Sequence, residues 1–303
     1  MRRIPAEIGV PESRDEIVKE VKRLIRAAGV EGVVPTPRDR ILECAKLVQT
    51  GDLDLSNYEE TLKTKARDFL YQALQKIRGF LDHRSNIVYV DPALYPTKHT
   101  FVTYHEVVHK TLSWQRVLYT SDDDFSLSSE CRQVFESEAN FGAAEILFQG
   151  EEFEKRAADY SVSIASALDL ANQFEASAHS SIRRFVERNH YPCAVLVLKP
   201  TSRIHESGLT SYVICYRIES PSFVLEFGDP FSKRFLNPDM KLCQVVNNAT
   251  TEEITLTDVR GETKRCTAEV FGNGHHIFLM IAPARSKRSR FTAILNSQRA
   301  MGA

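Results

Sequence analysis

Apolar side chains recur every three to four residues near the start of the chain, which is the period of an amphipathic helix. Over residues 13–28 they occupy positions 17, 18, 21, 24 and 25. Ser13 and Glu16 have the spacing of a capping box, so we expect this helix to begin at Ser13. Two further helices are predicted, one from Asp39 to Val48 and one from Leu62 to Phe80. The chain therefore starts with a helical region.

The pattern changes to alternation at residues 86–91, which predicts a strand that ends at Asp91-Pro92. From Tyr191 onwards short β-rich runs dominate, and we expect strands at residues 193–198, 211–218, 223–227, 253–256, 266–271 and 276–282. A helical first part and a β-rich second part predict an α+β protein. The expected divisions are a first domain over residues 1–160, a linker over 161–190 and a second domain over 191–303.

Residues 166–188 have the pattern of two helices joined by a short turn, which resembles a helix-turn-helix pair. Arg183, Arg184 and Arg188 make the second helix basic, as a helix that contacts DNA would be. The same arrangement also suits a structural hinge between two domains. Both interpretations remain open at this point.

The composition is that of an ordinary globular protein, with 43% hydrophobic residues, 26% charged residues and a formal net charge of −1. This charge balance gives no reason to expect a nucleic-acid partner. No apolar run reaches the roughly 18 residues that a membrane span needs, and the N-terminus lacks the apolar segment of a signal peptide. We therefore expect a cytoplasmic protein with no membrane partner. Its six cysteines are widely scattered, which favours free thiols over disulfides.

The main chemical motif is His105-Glu106-Val107-Val108-His109, whose flanking residues give a predicted helix an apolar face. Two histidines four residues apart lie on one face of a helix, so both can bind the same metal ion. Glu106 projects beside that ion, where a carboxylate can take a proton from the water that the metal activates. Tyr104 and Tyr119 are candidate donors to the oxyanion by their sequence positions alone. The ordinary alternative is two partly exposed histidines on an amphipathic helix.

A catalytic metal site needs a third protein ligand, and a second predicted helix supplies two carboxylates, Glu136 and Glu138. They lie about 200° apart around a helix, so only one of them can face the metal. Asn140, one turn after Glu136, is a candidate for orienting a ligand. Cys131 lies between the ligands in sequence, and its thiolate could occupy the position of the water as an inhibitory latch. The ordinary alternative for Cys131 is a small core residue.

These residues resemble the ImmA/IrrE (M78-type) metallopeptidases, whose pattern is HExxH followed by a helix of the form Glu-x-x-Ala-Asn. Glu136, Ala139 and Asn140 fit this pattern, whereas Gly142 departs from it. The resemblance implies a helical, zincin-like peptidase domain followed by a β-rich, GAF-like sensor domain. It implies Zn2+ bound by His105, His109 and Glu136, although Mn2+ suits the same donors. In zincins an edge strand beside the metal helix binds the substrate backbone, and the strand at 86–91 is the candidate.

The resemblance also implies a substrate and a signal. The substrate would be a partner helix-turn-helix repressor, cut once to induce stress or antiphage-defence genes. The second domain would sense a signal such as single-stranded DNA, with Arg183, Arg184 and Arg288 as candidate nucleic-acid contacts because the stretch around Arg288 is basic. Family members carry a helix-turn-helix-like segment next to the peptidase, often without sequence-specific DNA binding, which favours the hinge interpretation of residues 166–188.

A second hypothesis belongs to another class of protein. The chain would be a DNA-binding transcriptional regulator with a structural metal site, and a closed set of four ligands that includes Cys131 would favour it. A peptidase instead keeps one metal position open for water. A neighbouring gene for a small helix-turn-helix repressor is expected by the peptidase hypothesis alone.

Overall fold

The computed structural model describes residues 11–51, 79–115, 129–204 and 208–284. The chain divides into two compact units. One unit contains the described residues up to Asp159 together with Asp169–Ser181, and the other contains Tyr160–Leu168 and the described residues from Ile182. Within these ranges no helix has both the length and the apolar character that a membrane span requires.

The unit with the histidine motif is mainly helical. Its regular elements up to residue 158 are α1 (Arg14–Ala27), α2 (Arg38–Cys44), β1 (Val48–Thr50), β2 (Gly79–Asp82), β3 (Ile87–Val90), α3 (Pro96–Thr111), α4 (Ser129–Phe148) and α5 (Glu151–Ala158). α3 packs against α4, and α1 packs against both. The apolar positions 17, 21, 24 and 25 of α1 are buried, as the helical spacing predicts.

A glycine allows α4 to lie close to α3 and α1. A Cβ atom at Gly142 would lie 2.8 Å from both methyl carbons of Val108 and 3.3 Å from Ile17 Cγ2. Carbon atoms prefer separations of about 3.5–4.0 Å. Gly142 therefore permits a helix packing that any larger residue would disturb, and this packing sets the distance between the two helices that carry the motif residues.

A three-stranded sheet contacts α3 and has the strand order β1-β3-β2. β1 is parallel to β3, whereas β2 is antiparallel to it. The strand predicted at residues 86–91 is present as β3, but its expected position at the sheet edge is wrong because β3 pairs on both sides. Among the described residues, β2 is an edge strand that contacts α3.

Three local predictions for this unit need correction. The helix expected from Asp39 to Val48 ends at Cys44, because Lys46 takes a φ of 57° and the chain then enters β1. The helix expected to reach Phe80 cannot do so because residues 79–82 form β2, and its residues before Gly79 lie outside the described ranges. Ser13 is the N-cap residue of α1, but its side chain makes no capping hydrogen bond.

The second unit is built on a six-stranded antiparallel sheet with the order β6-β5-β4-β9-β8-β7. Its elements from residue 194 are β4 (Ala194–Ile204), β5 (Thr210–Glu219), α8 (Pro221–Phe227), β6 (Phe235–Leu236), α9 (Lys241–Asn248), β7 (Glu252–Thr257), β8 (Thr263–Gly272) and β9 (Ile277–Pro283). Phe223 of α8 and Val245 of α9 are buried in one core with Leu196 and Leu279 of the central strands. The α+β class with a β-rich second part is therefore confirmed. That the second part is a GAF-like domain stays a prediction.

The prediction of a strand at residues 223–227 is wrong, because these residues form α8. Ser220 caps this helix, since its hydroxyl accepts a hydrogen bond from Phe223 N, and Pro221 occupies the first turn. Serine before proline is a helix-start signal, and here it outweighs the β propensity of the apolar run.

The predicted helix pair corresponds to α6 (Ile164–Gln173) and α7 (Ala178–Glu187). Five of the ten residues of α7 are buried, and the other five are only partly exposed. A helix that contacts DNA bases must enter a groove, which requires an exposed face. The burial of α7 therefore supports the structural interpretation of this segment.

Candidate metal centre

The two motif histidines lie one turn apart on α3, which begins at Pro96. Proline suits the first turn of a helix because its missing N–H is not needed there. The Nε2 atoms of His105 and His109 are 3.1 Å apart, and the ring centroids are 4.7 Å apart with nearly perpendicular planes. The helix therefore directs both imidazoles to one point.

Glu136 on α4 completes the cluster. Its Oε2 atom lies 3.2 Å from His105 Nε2, and its Oε1 atom lies 3.7 Å from His109 Nε2. Two ligand atoms of a tetrahedral zinc ion are about 3.3 Å apart, because each lies about 2.0–2.1 Å from the metal. The observed separations of 3.1, 3.2 and 3.7 Å fit that geometry. Two imidazoles and one carboxylate suit zinc or manganese.

Burial and neighbouring charges change the proton affinities in this cluster. Burial acts to lower the pKa of His105, but its hydrogen bond with Glu136 and the charge of Glu106 outweigh burial and raise that pKa. The same hydrogen bond lowers the pKa of Glu136. Burial, His105 and His83 together lower the pKa of His109. A lowered pKa favours the neutral imidazole that a metal ligand must be.

Glu106 is not part of the cluster but lines the same cleft. Burial raises its pKa to about 7, and the charge of Glu136 contributes to this rise. A Cβ atom at Gly79 would collide with Val102 and lie 2.8 Å from Glu106 Oε1. The glycine therefore lets the backbone of β2 lie close to Glu106. A carboxylate with a pKa near neutrality is suited to general base catalysis.

Each histidine is held through its other ring nitrogen. His105 Nδ1 lies 3.1 Å from Oδ1 of Asn140, at the position where the sequence predicts an orienting residue. His109 Nδ1 donates to Gln115 Oε1 at 2.6 Å, and Gln115 Nε2 donates to Glu138 Oε2 at 2.6 Å. Such hydrogen bonds fix the ring orientation and leave Nε2 for a metal. Glu138 is thus linked to the cluster through Gln115 and is not one of its three ligands.

The cluster opens into a cleft of about 540 Å³. Apolar side chains form one part of its wall, and they are Phe80, Leu81, Phe101 and Val102. His83 and Lys98 add polar groups. Two of the apolar residues belong to the edge strand β2, so the cleft combines an apolar lining with a strand edge. An extended peptide can bind to such an edge through main-chain hydrogen bonds.

Two other residues singled out from the sequence lie outside this arrangement. Cys131 is in the first turn of α4 and does not join the ligand cluster. The Tyr104 side chain is fully buried, and its hydroxyl donates to Thr36 O at 2.7 Å. Tyr104 is therefore not placed to stabilise an oxyanion, which corrects that expectation, and the other candidate, Tyr119, lies outside the described residues.

The arginines predicted to contact nucleic acid have different surroundings. Arg183 Nε forms an ion pair with Glu187 at 2.8 Å. Arg184 is only 6% exposed, which argues against a direct contact with nucleic acid. Arg288 lies outside the described residues.

Sequence reasoning did not single out Gln115 or His83 and treated Glu138 only as a rival ligand. Gln115 follows the motif helix closely, but nothing in the local spacing marks its amide as a partner of His109. His83 lies in the turn after β2, and its approach to the cleft depends on the pairing of β2 with β3. These roles become visible only once the elements are assembled.

Comparisons with known proteins agree with the motif. Residues 65–185 match the Peptidase_M78 family model, described as an IrrE N-terminal-like domain. The matched region is similar to a metallopeptidase domain and contains His105, Glu106, His109 and Glu136. No curated protein sequence matches the chain. A solved structure described as a Mycobacterium tuberculosis transcriptional regulator is similar, with a TM-score of 0.50, 14% identity, and coverage of 89% of this chain and 76% of that chain. Likeness at this identity concerns the fold alone.

Proposed function

We propose that this protein is a metal-dependent endopeptidase of the ImmA/IrrE type that cleaves a partner helix-turn-helix repressor. The observation that carries the proposal is the convergence of His105, His109 and Glu136 in a cleft that Glu106 also lines. The match of residues 65–185 to the M78 family model supports the same class of enzyme.

The proposed mechanism assigns a task to each residue of the site. His105 Nε2, His109 Nε2 and the Glu136 carboxylate would hold the metal, which we propose to be zinc, with manganese as the alternative. A bound metal supplies Lewis acidity towards water and towards the scissile carbonyl. Glu106 takes the proton from the attacking water and delivers it to the leaving amine.

The cleft also indicates how a peptide would be held. We assign the substrate-binding edge to β2, since β3 is central in its sheet. A peptide segment paired with β2 would pass beside Glu106, because the β2 backbone at Gly79 approaches that carboxylate. Phe101 and Val102 would contact apolar side chains of the substrate. The preferred substrate is therefore an extended, partly apolar segment of the repressor.

The second unit is proposed as the sensor. Its antiparallel sheet and separate core support a folded module distinct from the peptidase unit. In the proposal this module is GAF-like, as in the defence-associated peptidase CapP, and single-stranded DNA binding to it activates cleavage. Cleavage of the repressor then induces stress or antiphage-defence genes. Since Arg184 is buried, the DNA contacts of this proposal fall on other residues, of which Arg288 is one.

The alternative of a DNA-binding regulator with a structural metal has less support. Among the described residues the ligand cluster has three members, and Cys131 is not one of them. In the second helix of the predicted DNA-binding pair half of the residues are buried and none is fully exposed. Both observations favour the peptidase.

The test is cleavage of the repressor encoded beside this gene by the purified zinc-loaded protein, with and without single-stranded DNA. We expect one cut that is stimulated by DNA. Glu106→Gln should retain zinc and lose cleavage by about 100-fold or more, since general base catalysis contributes about 10²- to 10⁴-fold. His109→Ala should lose both zinc and cleavage. A Glu106→Gln protein that cleaves the repressor at the wild-type rate would exclude the proposed mechanism.

A further inference from the structure

The buried carboxylate of Glu138 lies outside the three-residue cluster and is connected to it through Gln115. Glu138 is 4% exposed and accepts hydrogen bonds from side chains of two separate segments of the chain. The donors are Ser13 Oγ, Trp114 Nε1 at 2.9 Å and Gln115 Nε2 at 2.6 Å. Buried polar groups are costly unless they are hydrogen-bonded, and here the partners come from both the start of α1 and the segment after α3.

Glu138 and His109 are linked through the side-chain amide of Gln115, and the donors and acceptors of these two hydrogen bonds are fixed. A carboxylate can only accept, so the Gln115 amide must turn its nitrogen to Glu138 and its oxygen to His109. Gln115 Nε2 also lies 3.3 Å from Phe135 O, which holds the amide in the same orientation. His109 must then carry its proton on Nδ1 and direct the lone pair of Nε2 towards Glu136.

Ser13 indicates how strongly the fold favours this arrangement. It is the N-cap residue of α1, yet its hydroxyl does not cap the helix and donates to Glu138 instead. A serine cap contributes about 1 kcal/mol to a helix. Local rules broken in this way are expected near functional sites, where another contact takes precedence.

We propose that Glu138 is a positioning residue of the metal centre, which acts through Gln115 to fix the proton of His109 on Nδ1 and so present Nε2 to the metal. This inference rests on the proposed function only for the presence of a metal at His105, His109 and Glu136. It does not depend on the identity of the substrate.

The decisive variant is Glu138→Met, which keeps the length of the side chain but removes the acceptor of Gln115 Nε2. The Gln115 amide then keeps only its longer hydrogen bond to Phe135 O and holds the proton of His109 on Nδ1 less firmly. We expect zinc affinity to fall by about 10- to 100-fold, as for other partners of metal-ligating histidines. Competition with a chromophoric chelator measures the affinity, and the visible spectrum of the cobalt-substituted protein reports the change in ligand geometry.

Two controls separate positioning from a general effect on packing. Glu145→Gln alters another buried carboxylate of α4, two turns further on and outside the cluster, and should leave zinc affinity unchanged. Glu138→Gln is the conservative variant, because its amide oxygen can take the place of Oε2 and accept from Trp114 and Gln115, while its nitrogen can donate to Ser13 Oγ. It should keep zinc affinity near the wild-type value, since the acceptor of Gln115 is retained.

Gln115→Leu provides a second route if Glu138→Met fails to fold. It leaves Glu138 with Ser13 and Trp114 but removes the link to His109, and it should weaken zinc binding by about 10-fold or more. Wild-type zinc affinity in Gln115→Leu or in a folded Glu138→Met protein would overturn this inference alone. Absence of any zinc binding by the wild-type protein would overturn the proposed function, and this inference with it.

Discussion

At the scale of single residues, His83 is a candidate donor to the carbonyl oxygen of a peptide substrate, because it lines the cleft and its charge acts on His109. Peptide hydrolysis develops negative charge on the carbonyl oxygen, and a donor within the site stabilises that charge. Tyr104 donates to Thr36 O instead, whereas His83 lines the cleft together with His109. We expect His83→Ala to lower kcat by about 100-fold with little change in KM, as for other oxyanion donors.

The measurement is steady-state cleavage of the proposed repressor substrate, with the zinc content determined for each variant. His275→Ala is the matched control, because His275 is an exposed histidine of the other unit. An unchanged kcat in His83→Ala, at full zinc content, would exclude His83 from the chemistry.

The single residues of the site differ in how far the sequence predicts them. His105, Glu106 and His109 lie on one helix, so helical spacing alone predicts their relation. Glu136 and Asn140 lie on a second helix, and the family pattern supplied their position. Glu138 could not be predicted as a positioning residue, because one of its donors is Ser13, 125 positions away in the chain.

At the scale of elements, the packing of α3 on α4 depends on Gly142. Alanine favours helices over glycine by about 1 kcal/mol, so Gly142→Ala would stabilise an exposed helix. Here the new methyl group would lie 2.8 Å from both methyl carbons of Val108. Overpacking of this kind costs about 1–3 kcal/mol. We expect the clash to prevail and Tm to fall by several degrees, with weaker zinc binding because α3 and α4 carry the ligands.

Thermal unfolding followed by circular dichroism measures this effect. Gly272→Ala is the control, since a Cβ atom there meets no other atom within 4 Å. A Gly142→Ala protein as stable as the Gly272→Ala protein would contradict the close packing of these helices.

Elements with a strong local pattern were predictable, and elements that depend on competing signals were not. The periodicity of α1 predicts its buried face, because one stripe of the helix supplies the core. The run at 223–227 has β propensity, yet the capping signal of Ser220 and Pro221 produces a helix. The central place of β3 could not be predicted, because strand order depends on how distant strands pair.

At the scale of the whole molecule, the thiols form two classes. Cys193, Cys243 and Cys266 are buried, whereas Cys44, Cys131 and Cys215 are partly exposed, and none of the six forms a disulfide. Burial raises the pKa of Cys193 to about 12 and that of Cys266 to about 11. Since the thiolate is the reactive form, we expect the three partly exposed thiols to react first with a thiol reagent at neutral pH.

Mass spectrometry after brief alkylation identifies the modified positions, and all six should react in denaturant. Zinc should not protect Cys131, because Cys131 lies outside the ligand cluster. Protection of Cys131 by zinc would instead support the inhibitory latch.

The hydrogen bonds between His109, Gln115 and Glu138 also have a consequence for sequence change over evolution. A substitution at position 138 that removes the acceptor would impair the site unless position 115 changes at the same time to a residue that needs none. The two positions should therefore vary together among relatives with this site. Relatives that keep glutamine at the position of Gln115 are expected to keep an acceptor, glutamate or glutamine, at that of Glu138, and relatives that lose this acceptor alone should be rare among those that keep both histidines.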